Sequence, residues 1–316
     1  MKLTGAEVIV KCLQAEGVST IFGYPGGAIL PFYDALRDET SIRHILTAHE
    51  QGAAHAADGY ARASGTVGVC CATSGPGATN LVTGLANAFL DSIPVVAITG
   101  QVKRSTIGHD AFQEVDICGI TMPITKQNFL VNKPEELEQT MHLAFQIARS
   151  GRPGPVLIDV PNDVQKAMIE YQGKKFPALS PKAPDPMRID LAIDALSKAK
   201  RPVMLVGGGV AISGAQYEAV HLAEKLNLPC ASTLMGLGCI SSYRKQYLGM
   251  AGLHGHERAN RALAEADVIL ALGSRFNDRE TGDRATYSQG KTIIHVDIDP
   301  AEFHKNIDSR IHIAGD

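Results

Sequence analysis

The chain has 316 residues, more than one hydrophobic core ordinarily organises, so two domains are expected. Apolar residues make up 45% of it, and 30 lysines and arginines against 33 aspartates and glutamates leave a formal charge of -3. That balance provides no basic field for nucleic acid or anionic lipid, and no run is long and apolar enough to span a bilayer, so small molecules or proteins are the expected partners.

The opening residues, Met1 to Glu7, carry an acid early and do not resemble a secretory signal, which makes the cytoplasm the expected compartment. Thr4 can cap a helix that ends near Gly17, and Ser19 to Phe22 then reads as a strand. Ile42 to Thr47, Val67 to Ala72 and Val95 to Thr99 are three further short β-rich runs, with helices expected in the intervals. Pro155 to Pro161, an apolar run bounded by prolines, reads as the last strand of a first domain. From 166 to 187 the pattern fails, and Pro177, Pro181, Pro184 and Pro186 mark an extended linker. A helix from about Ile189 to Lys198 resumes the alternation. Strands follow at Pro202 to Val206, Val268 to Leu272, Thr292 to Val296 and Arg310 to Ile313. The expected fold is therefore α/β, with two doubly wound parallel sheets in domains at 1–165 and 188–316. A sheet covered on both faces would call for one more crossover helix after the last run, so the second domain reads as incomplete, with exposed apolar surface. Six cysteines, Cys12, Cys70, Cys71, Cys118, Cys230 and Cys239, show no Cys-x-x-Cys pair and read as reduced, mostly buried thiols.

Generic catalytic motifs are absent: there is no Walker phosphate loop, no His-Glu-x-x-His and no nucleophile elbow. Gly207, Gly208 and Gly209 follow a strand, as a dinucleotide loop would, but Ile212 stands where a third fingerprint glycine belongs. Three longer segments are more specific. They are Gly23-Tyr24-Pro25-Gly26-Gly27-Ala28, then His49-Glu50-Gln51-Gly52 through to Arg62, then Thr73-Ser74-Gly75-Pro76-Gly77-Ala78-Thr79-Asn80. Each begins at the carboxyl end of an expected strand, the edge where open α/β sheets bind ligands.

In order and spacing these segments resemble the pyrimidine-binding domain of thiamine-diphosphate-dependent enzymes, and the resemblance runs through essentially the whole chain. It implies that Glu50 hydrogen-bonds the cofactor's aminopyrimidine and assists formation of the nucleophilic thiazolium carbon, which needs a well-buried carboxyl group. Read from its position alone, Glu50 is first an acid stabilised by the dipole in the first turn of a helix. Tyr24, Pro25, Gly26, Gly27, Thr73, Pro76 and Asn80 match cofactor-binding positions around the pyrimidine.

Gly108-His109-Asp110-Ala111-Phe112-Gln113-Glu114 is similar to the version found in acetohydroxyacid (acetolactate) synthases. There, Phe112 would face the active site and Gln113 would hydrogen-bond cofactor or substrate. Glyoxylate carboligase is similar too but lacks the glutamate, so Glu50 counts against it. Leu253-His254-Gly255 and Gly273-Ser274-Arg275-Phe276-Asn277-Asp278-Arg279 resemble FAD-binding segments of the biosynthetic enzyme, a pattern that catabolic relatives lack. Carried over by position, the flavin contacts would be Arg152, Gly207, Gly208, Gly209, Thr233, Leu234, His254, Arg275, Asp278, Arg279, Asp297 and Asp316.

The family's Pro-Lys-Asp-Val motif reads Pro161-Asn162-Asp163-Val164, so a cation is replaced by an amide and Asn162 is not counted among the site residues. The family's Mg²⁺ ligands lie in a third, diphosphate-binding domain whose Gly-Asp-Gly motif does not occur, so no metal ligands are expected here and the chain alone is expected to be inactive. The resemblance implies thiamine diphosphate, Mg²⁺ and FAD as cofactors, and pyruvate and 2-ketobutyrate as substrates. It also implies a homodimer or tetramer and a regulatory small subunit. The alternatives are a pyruvate oxidase-like enzyme, whose flavin accepts electrons, and a noncatalytic flavin-binding remnant.

Overall fold

The computed structural model describes residues 1–174, 176–177 and 183–316; the portions of the expected linker at 175 and 178–182, Pro181 among them, lie outside the described residues. The chain divides into two compact units, Met1–Leu179 and Ser180–Asp316.

The first unit contains β1 (Lys2–Thr4), β2 (Thr20–Gly23), β3 (Arg43–Leu46), β4 (Gly68–Ala72), β5 (Val95–Gln101), β6 (Gln127–Leu130), β7 (Val156–Pro161) and β8 (Met168–Glu170). Six of them form a parallel sheet in the order β3-β2-β4-β5-β7-β6, and β1 pairs antiparallel with β8. The start of the expected linker is thus a strand bound to the chain's first residues. Thr4 caps the helix Gly5–Ala15 in a reciprocal box with Glu7: its hydroxyl accepts from the Glu7 N–H at 3.3 Å, and the Glu7 carboxylate accepts from the Thr4 N–H at 2.7 Å.

Every residue of β4, β5 and β7 is buried, as a sheet covered on both faces requires. Alternate residues serve opposite cores: Val69 and Cys71 face the cluster that holds Leu13, Ile21 and Phe32, whereas Cys70 and Ala72 face one built largely of alanine and leucine. The alanine side belongs to the helix Glu50–Ser64, which packs unusually close. A Cβ on Gly68 would come 2.1 Å from the Ala57 carbonyl oxygen, and one on Gly84 would come 2.4 Å from the Ala54 Cβ. Small residues on three elements thereby set how deep the first turn of this helix sits.

The second unit contains β9 (Pro202–Val206), β10 (Cys230–Ser232), β11 (Tyr247–Met250), β12 (Val268–Leu272), β13 (Thr292–Asp297) and β14 (Ile311–Ala314). They form another parallel sheet, in the order β11-β10-β9-β12-β13-β14. Its first helix spans Pro186–Lys198, with Asp185 as its cap. Both sheets are doubly wound, as the sequence pattern indicates. β6, β10 and β11 have no counterpart in that pattern; they are short, and their compositions do not alternate. All six cysteines are free, five of them buried, and burial pushes the Cys71 thiol up to about 12, so it is no nucleophile near neutral pH.

Candidate functional site

In the first sheet the connections reverse direction between β2 and β4, since β3 lies on one side of β2 and β4 on the other. Loops leaving the carboxyl ends of adjacent strands part at such a point and leave a crevice. Glu50 reaches it from the end of β3 as the first residue of its helix, behind His49, whose ring accepts from the Gln51 N–H at 3.1 Å. The Glu50 side chain is buried, at 9% exposure. Asn80 Nδ2 donates to its Oε2 at 2.9 Å, while Oε1 meets no hydrogen-bond donor among the described residues. An acid placed only to complement a helix dipole would sit in water; this one is withdrawn with one of its two oxygens unused among the described residues.

The neighbouring turns are shaped around that carboxylate. A Cβ on Gly77 would come 3.1 Å from Glu50 Oε1 and 2.8 Å from Thr73 Cγ2, and one on Gly26 would come 2.5 Å from Thr73 Cβ. Thr73 is itself buried, and its hydroxyl accepts from the Ala28 N–H at 3.1 Å. The Ala28 carbonyl accepts from Gln165 Nε2 at 2.9 Å and from Asn162 Nδ2 at 3.3 Å. Asn162, set aside on the sequence, therefore holds the loop after β2. Tyr24, Gly27 and Pro76 are exposed on these same loops, and Pro25 is half-buried. Tyr33 has no sequence signal, yet its hydroxyl lies 3.2 Å from His44 Nε2 and 3.3 Å from Cys71 Sγ beneath the β2 loop. Burial pushes that phenol up, so it stays neutral.

The segment after β5 folds over the same turn. Glu114 accepts from the N–H groups of Gly108 and Ala111, which closes the loop on itself. Gln113 has φ 58° and is exposed, and its backbone lies against the turn at Gly75. Phe112 stands beside it at 86% exposure. Glu50, Thr73, Asn80 and the Gln113 backbone are thus brought together, with Tyr24, Pro25, Gly26, Gly27 and Pro76 on the loops around them.

In the second sheet the reversal falls between β9 and β12. Gly207 to Gly209 leave β9, Thr233 and Leu234 leave β10, His254 follows β11, and Arg275, Asp278 and Arg279 follow β12; Asp297 ends β13 and Asp316 follows β14. All stand at the carboxyl edge. The glycines have a structural explanation here: a Cβ on Gly207 would come 2.1 Å from the Gly273 carbonyl oxygen, and Gly209 donates its N–H to that oxygen at 3.0 Å. His254 is exposed, so it is no core histidine. Leu234 at 68% exposure, Leu253 at 66% and the exposed Arg279 put apolar surface and a cation on one edge, with Arg275 half-buried there. That combination suits a flat ring system attached to a diphosphate. The Thr233 hydroxyl accepts from the Gly236 N–H at 3.2 Å, and Asp297 accepts from the Asp299 N–H at 2.9 Å. Arg152 belongs to the first unit, on the amino side of β7, where its Nε donates to Ser92 Oγ at 2.8 Å. That is the opposite edge of its sheet from Glu50.

Two family models match the chain. The N-terminal TPP binding domain of thiamine pyrophosphate enzymes covers residues 3–120, and the central domain of thiamine pyrophosphate enzymes covers residues 189–316. The chain is 54% identical over 321 residues to a probable acetolactate synthase large subunit of Methanocaldococcus jannaschii, covering 99% of this chain and 54% of that protein. It is 49% identical over 319 residues to the acetolactate synthase large subunit of Corynebacterium glutamicum, covering 100% and 51%. It is also 49% identical over 315 residues to the acetolactate synthase isozyme 2 large subunit of Escherichia coli, covering 99% and 57%. The chain spans about half the length of the curated relatives it matches.

Proposed function

This chain belongs to the thiamine pyrophosphate enzyme family, and on that premise we propose that it serves the acetolactate synthase reaction, in which pyruvate is decarboxylated and its two-carbon remainder joins a second 2-ketoacid, pyruvate or 2-ketobutyrate. The observation that carries this reading is the buried Glu50, bonded through one oxygen to Asn80 and open at the other, at the reversal point of the first sheet.

Thiamine diphosphate, when bound, supplies a carbon nucleophile that accepts the electrons released on decarboxylation. The residues present suit its aminopyrimidine: Glu50 Oε1, with no donor among the described residues, stands beside turns that Gly26 and Gly77 draw tight against Thr73. Glu50 would hold a proton at Oε1 against a ring nitrogen, with Asn80 fixing the carboxyl plane from Oε2. Tyr24, Pro25, Gly27 and Pro76 would wall the ring, and Phe112 and Gln113 would approach the reacting end. We assign residues 1–165 and the strand Met168–Glu170 to pyrimidine binding, and 188–316 with the helix start at Pro186 to a FAD-binding-type domain, the rest of the expected 166–187 serving as linker. The edge carrying Arg275 and Arg279 would hold FAD in a structural role. Mg²⁺ and the cofactor diphosphate would be held by residues in the part of the longer relatives that this span does not cover. The relatives' designation as large subunits supports a regulatory small subunit as partner, and we propose with it a homodimer or tetramer in the cytoplasm.

The test uses the full-length polypeptide containing this sequence, given thiamine diphosphate, Mg²⁺, FAD and pyruvate. Acetolactate formed without oxygen uptake is the expected outcome. Oxygen uptake with acetyl products would instead assign the pyruvate oxidase reading, and bound flavin with no turnover would assign the noncatalytic one.

A further inference from the structure

Beneath the Gln113 loop lies a polar cluster that the cofactor reading does not use. Asp159, in β7, is register partner to Thr99 in β5, and it is 2% exposed in a strand whose other residues are all apolar. Its Oδ1 accepts from Thr99 Oγ1 at 2.6 Å and its Oδ2 from Gln101 Nε2 at 2.8 Å. The same Nε2 donates to the Val115 carbonyl at 2.9 Å, and Gln101 Oε1 accepts from the Val102 N–H at 2.8 Å. Both amide hydrogens and the amide oxygen are therefore engaged, and only one orientation satisfies them all. With the amide reversed, Oε1 would face a carboxylate and a carbonyl while Nε2 faced an N–H. An accepting oxygen at 159 disfavours that reversal, together with the Val115 carbonyl and the Val102 N–H.

Val115 lies two residues beyond Gln113. Glu114 closes the head of the loop on itself, and Gln101 fastens its foot to the sheet. An apolar pair at 101 and 159 could fill the same volume, but it would leave the Val115 carbonyl without this donor.

We propose that Asp159 and Gln101 are positioning residues: Asp159 sets the direction of the Gln101 amide, and that amide holds the Val115 carbonyl so that Gln113 rests on the turn at Gly75. The loop-holding role is independent of the reaction assigned above, whereas its catalytic consequence rests on that reading.

Hydrogen–deuterium exchange of this chain tests it. In Gln101→Leu, peptides spanning 104–116 are expected to exchange roughly ten-fold faster, while those of β4 and β7 keep their protection. Asp159→Leu should loosen the same peptides. Asp159→Asn should not, because its Oδ1 can accept from Gln101 while its Nδ2 donates to Thr99 Oγ1. If the leucine variants do not fold, Gln101→Asn, one methylene too short to span both partners, gives the same readout. Unchanged exchange at 104–116 in the folded Gln101 variants overturns the proposal, as does equal loosening in Asp159→Asn and Asp159→Leu. In the full-length polypeptide, a loosened loop with undiminished acetolactate formation would leave the clasp standing and count against the role given to Gln113.

Discussion

The turn at Gly75 and the backbone of Gln113 occupy one another's only available space: a Cβ on Gly75 would come 2.6 Å from the Gln113 carbonyl oxygen and 2.9 Å from its Cβ. Gly75 has φ 60° and ψ -122°, and Gln113 has φ 58°, so two left-handed residues meet face to face. Gly75→Ala adds an atom where there is no room and imposes a backbone that L-residues avoid. It should destabilise the first unit by roughly 2 kcal/mol and release the loop. Urea unfolding reads the first effect and proteolysis within 104–116 the second; a variant as stable and as resistant as the parent would refute the contact.

Glu50→Gln keeps an oxygen that can accept from Asn80 and removes the ionisable group. Folding should be preserved within about 0.5 kcal/mol, while turnover of the full-length polypeptide falls about 100-fold or more. Asn80→Ala removes the one side-chain donor to Glu50 among the described residues and should cost activity too, through a carboxyl group no longer held in place. Retention of full turnover by Glu50→Gln would remove this carboxylate from the mechanism.

Gln165 and Asn162 share the Ala28 carbonyl unequally. Gln165 is almost fully buried and also donates to the Val160 carbonyl at 2.8 Å, so Gln165→Leu removes both bonds, leaves the Ala28 carbonyl with the longer Asn162 bond alone, and should cost about 2 kcal/mol. Asn162 contributes one longer bond at 3.3 Å. Asn162→Lys should therefore change stability by less than about 0.5 kcal/mol. Chemical denaturation of the two variants ranks them, and an Asn162 effect equal to that of Gln165 would contradict the geometry.

Burial pushes the Asp159 carboxyl up to about 7, against the opposing bonds from Thr99 and Gln101; Asp116 adds a like charge, and the Cys118 thiol faces it from the following helix. The folded chain then keeps a proton that the unfolded chain releases above its ordinary value of 3.8. This group's contribution is complete at low pH, is lost as pH rises towards about 7, and is flat above that. His295 has the opposite sign. Burial lowers it to about 4, so its contribution is present above 6.5 and disappears as pH falls towards 4. The stability of Asp159→Asn relative to the parent should accordingly rise between pH 5 and 7, on the order of 1 kcal/mol per unit, and then level. Urea titrations at several pH values check this, and parallel curves would show that Asp159 does not titrate there.

The strands at 20–23, 68–72, 95–101 and 156–161, and those at 202–206, 268–272 and 292–297, were legible because buried parallel strands are short continuous apolar runs between turn residues. β10 and β11 were not, since three or four residues of mixed composition become strands only when a neighbour offers its free N–H and C=O groups. The position of Glu50 at a strand's carboxyl edge followed from its place in the sequence. Its withdrawal from water, the unequal use of its two oxygens and its approach to Gly77 depended on how closely an alanine-rich helix could pack on the sheet. Gln101, Asp159, Gln165 and Tyr33 carried no motif, because what they do is fasten one loop to another, and partners 14 to 137 residues apart acquire meaning only when the chain is folded. Local pattern determines which segments can be strands and helices; long-range hydrogen bonds, decided by packing, determine which side chains act together.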